Sequence, residues 1–576
     1  MTTSDSTPTS TSGTVVDSPA MTVRARVRAA IEEAWVAAER AGTLPAHPDD
    51  VPRPPVEVER PAKPEHGDLA ANLAMKLARP LRRPPLAIAT AIVEALMTSA
   101  TDPASPIAEA SVAPPGFINL RLSDGLLAET IDAVLAVPDH WGRIAATRPR
   151  VVNVEFVSAN PTGPLTIGNA RGAFVGDLLC RVLAAGGQQV TREYYFNDSG
   201  GQIDRLGASM LATMRAEPIP EDGYHGAYVA DLAAAAPADV RAAADAGDAD
   251  ADRVLGHWAA GATRAGIEAS LDRLGVHFDV WKSEGSLHAE GWVGRALEQL
   301  RERGHLYELD GATWFRSTDF GDDKDRVVIR SNGEPTYFAA DIGYLAEKFS
   351  RGFDHIIYVW GIDHHGYIAR TRGAAAGLGI DPEHVQVLLT GWVSVIRDGQ
   401  VVAMSKRAGD IYLLDTLLDD IGVDAARWFF ASRGANLDMD IDVDLARRQT
   451  SENPVYYVQY AHARIASILR KAAEAGLTPA ASVAGHLAGP PEAALARAIV
   501  RFPEVVEDAA TSEETHGVTA YATELATQFH AFYRDARVVD KAEPERSAAR
   551  LALVEAARTT LANALALLGI SAPDAM

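Results

Sequence analysis

Cysteine is nearly absent: Cys180 is the only one in 576 residues. An internal disulfide is therefore excluded, as is any zinc site built from several thiolates. Such sparing use of cysteine fits a reducing compartment and hence a cytoplasmic location. A basic surplus is missing too. Lys and Arg number 54 against 77 Asp and Glu, a net charge of −23. That argues against a protein that coats nucleic acid without selectivity, though an acidic enzyme can still carry a local basic face. No unbroken run of about 18 apolar residues occurs, so no membrane-spanning segment is expected. The opening stretch MTTSDSTPTSTSGTVVDSPAM is polar and lacks the apolar core of a signal peptide. A disordered tail is expected over 1–21, with Met21 as an alternative start. No repeat of fixed period is visible.

What is present is enough chain for about two to four domains. Residues 22–97 carry helical periodicity, and FINLRLS (Phe117–Ser123) has the composition of a strand. Within the first of these lies an apolar helix with a basic end, where Lys76, Arg82 and Arg83 form either a solvated helix terminus or a grip on a nucleic-acid backbone. PDHWGRIAATRPR (Pro138–Arg150) has the character of a linker. VVNVEFV (Val151–Val157) then suits a buried parallel strand. A loop with Gly163, Gly168, Gly172 and two prolines follows, and after it a helix from about Ala173 to Ala185. Strand, glycine-rich loop and helix open a doubly wound α/β unit. A second such unit starts at DHIIYVWG (Asp354–Gly361), and residues 216–290 separate the two halves as an insertion. From Ser451 onward the pattern is helical. The expected domains are thus 22–137, 138–450 and 451–576.

Several side chains stand out. Glu155 lies inside an apolar strand, and a buried carboxylate must be paired; a guanidinium would pair it bidentately. Tyr337 and Asp341, four apart, share one face if the segment is helical. Asp363, His364 and His365 invite a metal reading, but no third ligand has suitable spacing, so no protein-bound metal is expected. AMSKRAG (Ala403–Gly409) follows a hairpin around Asp398-Gly399 and puts Ser405, Lys406 and Arg407 on a loop. Alone this is a basic turn; with the Asn160–Gly172 loop it could close over a triphosphate, since glycine-rich backbone and a helix N-terminus both favour anions.

The segments VNVEFVSANPTGPLTIGNARGAFVGD, REYYFNDSGGQIDRL, FGDDKDRVVIRSNGEPTYFAADIGYL, MSKRAGD and ENPVYYVQYAHARI, in that order, resemble arginyl-tRNA synthetase, a class I aminoacyl-tRNA synthetase. The similarity runs from about Thr22 to Met576. It implies a Rossmann-like catalytic domain between an N-terminal α/β domain that contacts the tRNA elbow and a C-terminal α-helical anticodon-binding bundle. It implies ATP with Mg2+, L-arginine and tRNA-Arg as substrates, tRNA-dependent activation, and a monomer. By the same resemblance Glu155 and Asp341 face the guanidinium, Asn160 holds the α-amino end, Tyr337 forms a wall and His364 is a further amino-acid contact. Gly361 and Asp363 correspond to the ribose-binding pair; Lys76, Arg82 and Arg83, with Tyr456, Tyr457 and Arg464, fall on the tRNA-binding domains.

Two departures accompany the resemblance. Where the family's class signature has His-x-Gly-His, this chain has Thr166-Ile167-Gly168-Asn169. Where the second signature has Lys-Met-Ser-Lys, it has Ala403-Met404-Ser405-Lys406. Threonine and asparagine keep hydrogen-bond donors but no cation, which implies a weakened triphosphate site in which Lys406 carries the positive charge. A divergent paralogue in a specialised or resistance role, or a weakened binder of arginine and tRNA, is the alternative reading.

Overall fold

The computed structural model describes residues 22–100, 102, 104–198, 200–402, 412–487 and 489–576. They form two compact units, of which the first ends at Ser123 and also includes Arg143–Thr147. This unit has three helices, Val23–Arg40, Leu73–Leu81 and Pro85–Ser99. Its four-stranded antiparallel sheet is ordered Val58–Glu59, Leu69–Ala71, Phe117–Leu122, Ile107–Ala113. Thr22 caps the first helix by accepting from Ala25 N–H. Trp35, Leu77, Ile88, Ile118 and Leu120 fill the core. The helix Asp124–Ala136 departs from the boundary expected at residue 137: it belongs to the second unit, packed on the helices Pro490–Val500 and Pro544–Leu568.

The second unit is built around a five-stranded parallel sheet. Its strands are β1 (Val151–Glu155), β2 (Gln189–Phe196), β3 (Val280–Ser283), β4 (His355–Gly361) and β5 (Val385–Thr390). They lie in the order β5-β4-β1-β2-β3. Helices cover both faces, which is why Val152, Val154, Ile357 and Val359 are buried and why the polar residues that alternate with them in β1, Asn153 and Glu155, are buried too. The strand order reverses between β1 and β4, and in such sheets ligands bind there, beyond the carboxyl ends.

The helix after β1, α1, spans Ile167–Ala185. It starts six residues earlier than the sequence suggested, because Gly168 and Gly172 lie on its first turns and not in a loop. Gly176 lets it settle on the sheet: a Cβ there would stand 2.2 Å from Phe156 Cγ. The insertion also lies earlier than expected, from Gly201 to Arg273. Helices Gly201–Met214, Ala227–Ala235, Ala238–Asp245 and Ala251–Arg273 share a small core of Leu206, Met210, Val229, Leu255 and Ala259, and the chain then re-enters the sheet as β3. Three further helices build the site: α2 (Glu284–Ala289), α3 (Tyr337–Ser350) and α4 (Ile368–Gly377). The hairpin Val393–Arg397/Gln400–Val401 turns at Asp398 and Gly399, both left-handed as a two-residue turn requires.

Five long helices complete the unit: α5 (Pro454–Glu474), α6 (Pro490–Val500), α7 (Phe502–Ser512), α8 (Gly517–Asp535) and α9 (Pro544–Leu568). By length and mean composition alone α9 could cross a membrane, but 61% of its apolar stretch is buried, and it packs against α5, α6 and α8 as the bundle's core helix.

Candidate active site

β1 ends on Glu155, whose carboxylate is buried. Its partner within the protein is Lys348 of α3, whose Nζ donates to Oε2 at 2.7 Å; Ser158 Oγ donates to Oε1 at 3.1 Å. The chain then turns through Val157 and Ser158, both left-handed at φ 67° and 42°. For a β-branched residue that conformation is strained by about 1–3 kcal/mol and needs outside support. The support comes from β2. Tyr194 OH accepts from Ala159 N–H at 3.1 Å and donates to Ala159 O at 2.8 Å, while Ser158 Oγ accepts from Tyr195 N–H at 3.1 Å. The turn delivers Asn160, whose Nδ2 donates to Gln202 Oε1 at 2.8 Å and whose Oδ1 accepts from Asn197 N–H at 3.1 Å.

α3 supplies the facing wall. Thr336 caps it by accepting from Ala339 N–H, so Tyr337 sits on the first turn, 69% exposed, and Asp341 one turn further along. One side of Asp341 opens to solvent, and protein surrounds the rest. That enclosure, and then the carboxylates of Glu284 and Glu155, push its carboxyl up to about 7 against the opposing pull of Arg370. Glu284, the first residue of α2, is half-buried and also raised by burial; Tyr195 OH donates to its Oε2 at 3.1 Å. Glu284 was missed in the sequence because it falls within the stretch taken for an insertion. Glu155 is already neutralised by Lys348. Asp341 and Glu284 are left as a pair of carboxylates that a bound cation would stabilise.

At the carboxyl end of β4, the side chain of Asp363 folds back over Gly361: a Cβ on that glycine would meet Asp363 Oδ1 at 2.5 Å. His364 is exposed, 3.7 Å from Asp363 Oδ2, with its ring 5.7 Å from that of Tyr367. Thr166 is the N-cap residue of α1, and Asn169 Oδ1 accepts from both Thr166 N–H (3.0 Å) and Thr166 Oγ1 (2.9 Å). The amide oxygen is thereby committed, which leaves the Nδ2 hydrogens as donors at the helix N-terminus beside exposed Gly168. Ala403, Met404, Ser405 and Lys406 lie outside the described residues. The chain just after them is held to the signature, with Ile167 N–H donating to Tyr412 O at 3.0 Å and Leu414 N–H to Leu165 O at 2.9 Å.

The residues expected to meet tRNA divide. Arg82 and Arg83 are exposed, Arg82 as the left-handed cap of its helix. Lys76 instead pairs with Glu57 at 2.6 Å. In the bundle, Tyr456 stacks on Tyr460 at 6.1 Å, and Arg464 lies over Tyr460 at 4.6 Å and Tyr533 at 5.3 Å. Tyr457 OH donates to Thr527 Oγ1 at 3.2 Å. Between them His530 is lowered to about 4, by burial and then by Arg464, so it stays neutral. Tyr460 was legible from its spacing of four to both Tyr456 and Arg464; Tyr533 and His530 come from α8 and were not.

A doubly wound sheet that binds at its switch point, a signature turn that caps α1 and a helical bundle behind it define a class I aminoacyl-tRNA synthetase. Three family models agree: arginyl tRNA synthetase N terminal domain over residues 21–122, tRNA synthetases class I (R), catalytic domain over 260–447, and DALR anticodon binding domain over 458–576. An arginine–tRNA ligase of Geobacter sp. (strain M21) is 45% identical over 535 residues, 91% of this chain and 95% of the relative. A solved structure described as an arginyl-tRNA synthetase from Campylobacter jejuni matches with TM-score 0.72 at 34% identity, covering 79% of this chain and all of the other. The Thermus thermophilus arginyl-tRNA synthetase matches with TM-score 0.73 at 24% identity, covering 96% of this chain and all of that one, a likeness of fold. The chain belongs to the arginyl-tRNA synthetase family.

Proposed function

We propose that the cleft beyond β1 and β4 activates L-arginine with ATP and passes the arginyl group to tRNA-Arg, so that the protein is an arginine–tRNA ligase. The observation that carries the amino-acid assignment is the pair Asp341 and Glu284, both raised, the former despite the pull of Arg370, beside Glu155 paired with Lys348. A guanidinium offers five donors and a charge that never leaves it, which suits two carboxylates on different elements. Tyr337 walls the side chain, and His364 contacts the amino acid. Glu155, expected to face the guanidinium, is already paired with Lys348 and instead joins Asn160 on the α-ammonium. The arginine carboxylate attacks the α-phosphorus of ATP, and pyrophosphate leaves. The terminal ribose hydroxyl of tRNA then attacks the acyl carbon, releasing AMP. Gly361 and Asp363 hold the ribose. Asn169 Nδ2, the backbone at Gly168, Thr166 and Lys406 stabilise the triphosphate, with Met404 and Ser405 as further ATP contacts and Mg2+ arriving with ATP. Exposed Arg82 and Arg83, with Lys76, serve the tRNA elbow. Tyr456, Tyr457 and Arg464 serve the anticodon, with Tyr460 as a further stacking surface. The enzyme is assigned as a cytoplasmic monomer. Similarity along almost the whole chain favours the ligase over a silent binder or a paralogue with another role.

Calorimetry with tRNA-Arg and a non-hydrolysable ATP analogue tests the assignment. Arginine is expected to bind at least roughly 100-fold more tightly than citrulline, its neutral near-isostere, since the neutral ligand leaves the Asp341 and Glu284 carboxylates without a counter-charge. Equal affinities would sink it. A pH series adds a sign. The guanidinium requires ionised Asp341, and that carboxyl is raised to about 7. Affinity should therefore rise with pH up to about 7 and level off above it, with uptake of arginine releasing protons below that point.

A second test addresses the altered signature. Thr166→His/Asn169→His should raise the rate of tRNA-dependent, arginine-dependent ATP–pyrophosphate exchange, by restoring cationic donors where charge develops. Lys406→Ala should lower it by at least roughly 10²-fold. A wild-type rate near or above about 1 s⁻¹, an ordinary turnover, that the histidines leave unchanged would refute the weakened-site reading.

A further inference from the structure

Beneath the cleft lies a charged cluster that the mechanism above does not use. Lys348 is fully buried, yet its ammonium donates to Glu155 Oε2 at 2.7 Å and to Asn153 Oδ1 at 2.9 Å. The ring centroids of Tyr344 and Tyr358 stand 4.6 and 4.4 Å from its Nζ, so the cation also faces π density. Asn153 Nδ2 donates onward to Glu193 Oε2 at 2.7 Å. Glu193 in turn is paired with Arg351 at 2.8 Å and accepts from Tyr344 OH. A buried charge with this many fixed partners has one geometry open to it.

We infer that Lys348 is a positioning residue for arginine recognition: it holds the Glu155 carboxylate in one orientation and cancels its charge, so that the ligand's guanidinium is claimed by Asp341 and Glu284 alone. The inference rests on the arginine reading of the cleft. With Oε2 taken by Lys348 and Oε1 steadied by Ser158, Glu155 has only its remaining lone-pair directions to offer, which suit a compact ammonium. Without Lys348, three carboxylates from β1, α2 and α3 would compete for one cation. The ligand could then bind with its guanidinium against Glu155 and its reacting carboxylate misplaced. Lys348 and Asp341 are seven residues apart on α3, two turns on the same face, so one helix sets both the charge that is cancelled and the charge that is left.

The experiment uses the full chain with tRNA-Arg and ATP, and reads KM for arginine and kcat in pyrophosphate exchange for Lys348→Gln, Lys348→Arg, Glu155→Gln and the Lys348→Gln/Glu155→Gln double variant. Lys348→Gln is expected to raise KM for arginine roughly tenfold or more, and the double variant to be no worse than Glu155→Gln alone, as for two residues acting through one contact. Lys348→Arg should recover much of the loss. The pH dependence of KM separates a positioning role from a packing one. Asp341 is faced by Glu284 from α2, Glu155 from β1, Arg370 from α4, Tyr195 from β2 and Tyr358 from β4, with Tyr344 and Lys348 on its own helix. Removing the Lys348 cation leaves Glu155 uncancelled and should move the pH at which KM levels off upward. Independent, multiplying effects in the double variant, or a pH break that stays in place, overturn the inference. So does failure of both Lys348 variants to fold, which would assign the lysine to the core rather than to the cleft. A wild-type protein with no arginine-dependent exchange overturns instead the ligase assignment beneath it.

Discussion

Asp341→Asn is expected to cut kcat/KM for arginine by about 10²-fold, the consequence of removing the charge from one half of a charge-assisted contact worth roughly 1.5–3 kcal/mol. The substitution is isosteric, so Tyr337 keeps its wall and α3 its cap. What disappears is the carboxylate that, with Glu284, claims the guanidinium. Citrulline makes no use of that charge, so its weak binding should change little and the preference for arginine should collapse. Tyrosine and ribose contacts are untouched, hence affinity for ATP should hold. The same substitution should raise the thermal unfolding temperature at pH 8. Asp341 is raised to about 7, above its value in an unfolded chain, so its ionised form opposes folding at every pH above that point. Removing the charge removes the opposition, a trade of stability against function that ligand sites commonly make. Pyrophosphate exchange and a thermal melt on one preparation check both signs. An asparagine variant that still selects arginine would place the guanidinium elsewhere.

Asp177→Ala should be as damaging to the fold as Asp341→Asn is to the reaction. Asp177, on α1, and Arg427, on the helix Leu414–Ala431, are both almost wholly buried and 2.8 Å apart. The Arg427 guanidinium also donates to the carbonyls of Leu274 (3.0 and 2.7 Å), Gly275 (3.3 Å) and Leu568 (3.2 Å). Carbonyls solvate a cation without cancelling it. With alanine at 177, Arg427 would remain in that cage without its directly paired carboxylate, at a cost of about 3–5 kcal/mol. In a chain of this size the loss appears as a lowered unfolding temperature rather than a clean two-state free energy. Asp177→Ala/Arg427→Met, which removes both charges, should recover much of the loss. An unfolding temperature that alanine leaves where it was would show that Asp424, whose carboxylate also favours the Arg427 cation, or water takes over the pairing.

Much of this was legible in the chain. Val151–Val157 announced a central strand because both of its faces are covered, and Tyr337 and Asp341 shared a face because their spacing matches a helical turn. The early start of α1 was hidden by Gly168 and Gly172, which carry the look of a loop, while the one glycine that close packing demands, Gly176 against Phe156, lies further along the helix. Glu284 was invisible as a pocket wall, since nothing local marks the residue after β3 as facing a helix more than 50 positions later. Lys348 was harder still. In sequence it is an ordinary lysine in the last turns of a helix, favourable to the helix C-terminus, and only the packing of α3 on β1 reveals a cation under the floor of the site.

The face of α3 that carries Tyr337, Asp341, Tyr344 and Lys348 spaces them at intervals of four, three and four. Each residue of an α-helix turns the next by about 100°. One residue inserted between Asp341 and Lys348 would therefore swing the lysine out of its tyrosine sandwich while leaving the aspartate in place, and one residue deleted would swing it the other way. Point substitutions can tune this helix one side chain at a time, but its length is fixed as firmly as the tooth spacing of a key. Descendants of this chain are free to vary the residues on its outer face and the loops at its ends, and are barred from changing the count between them.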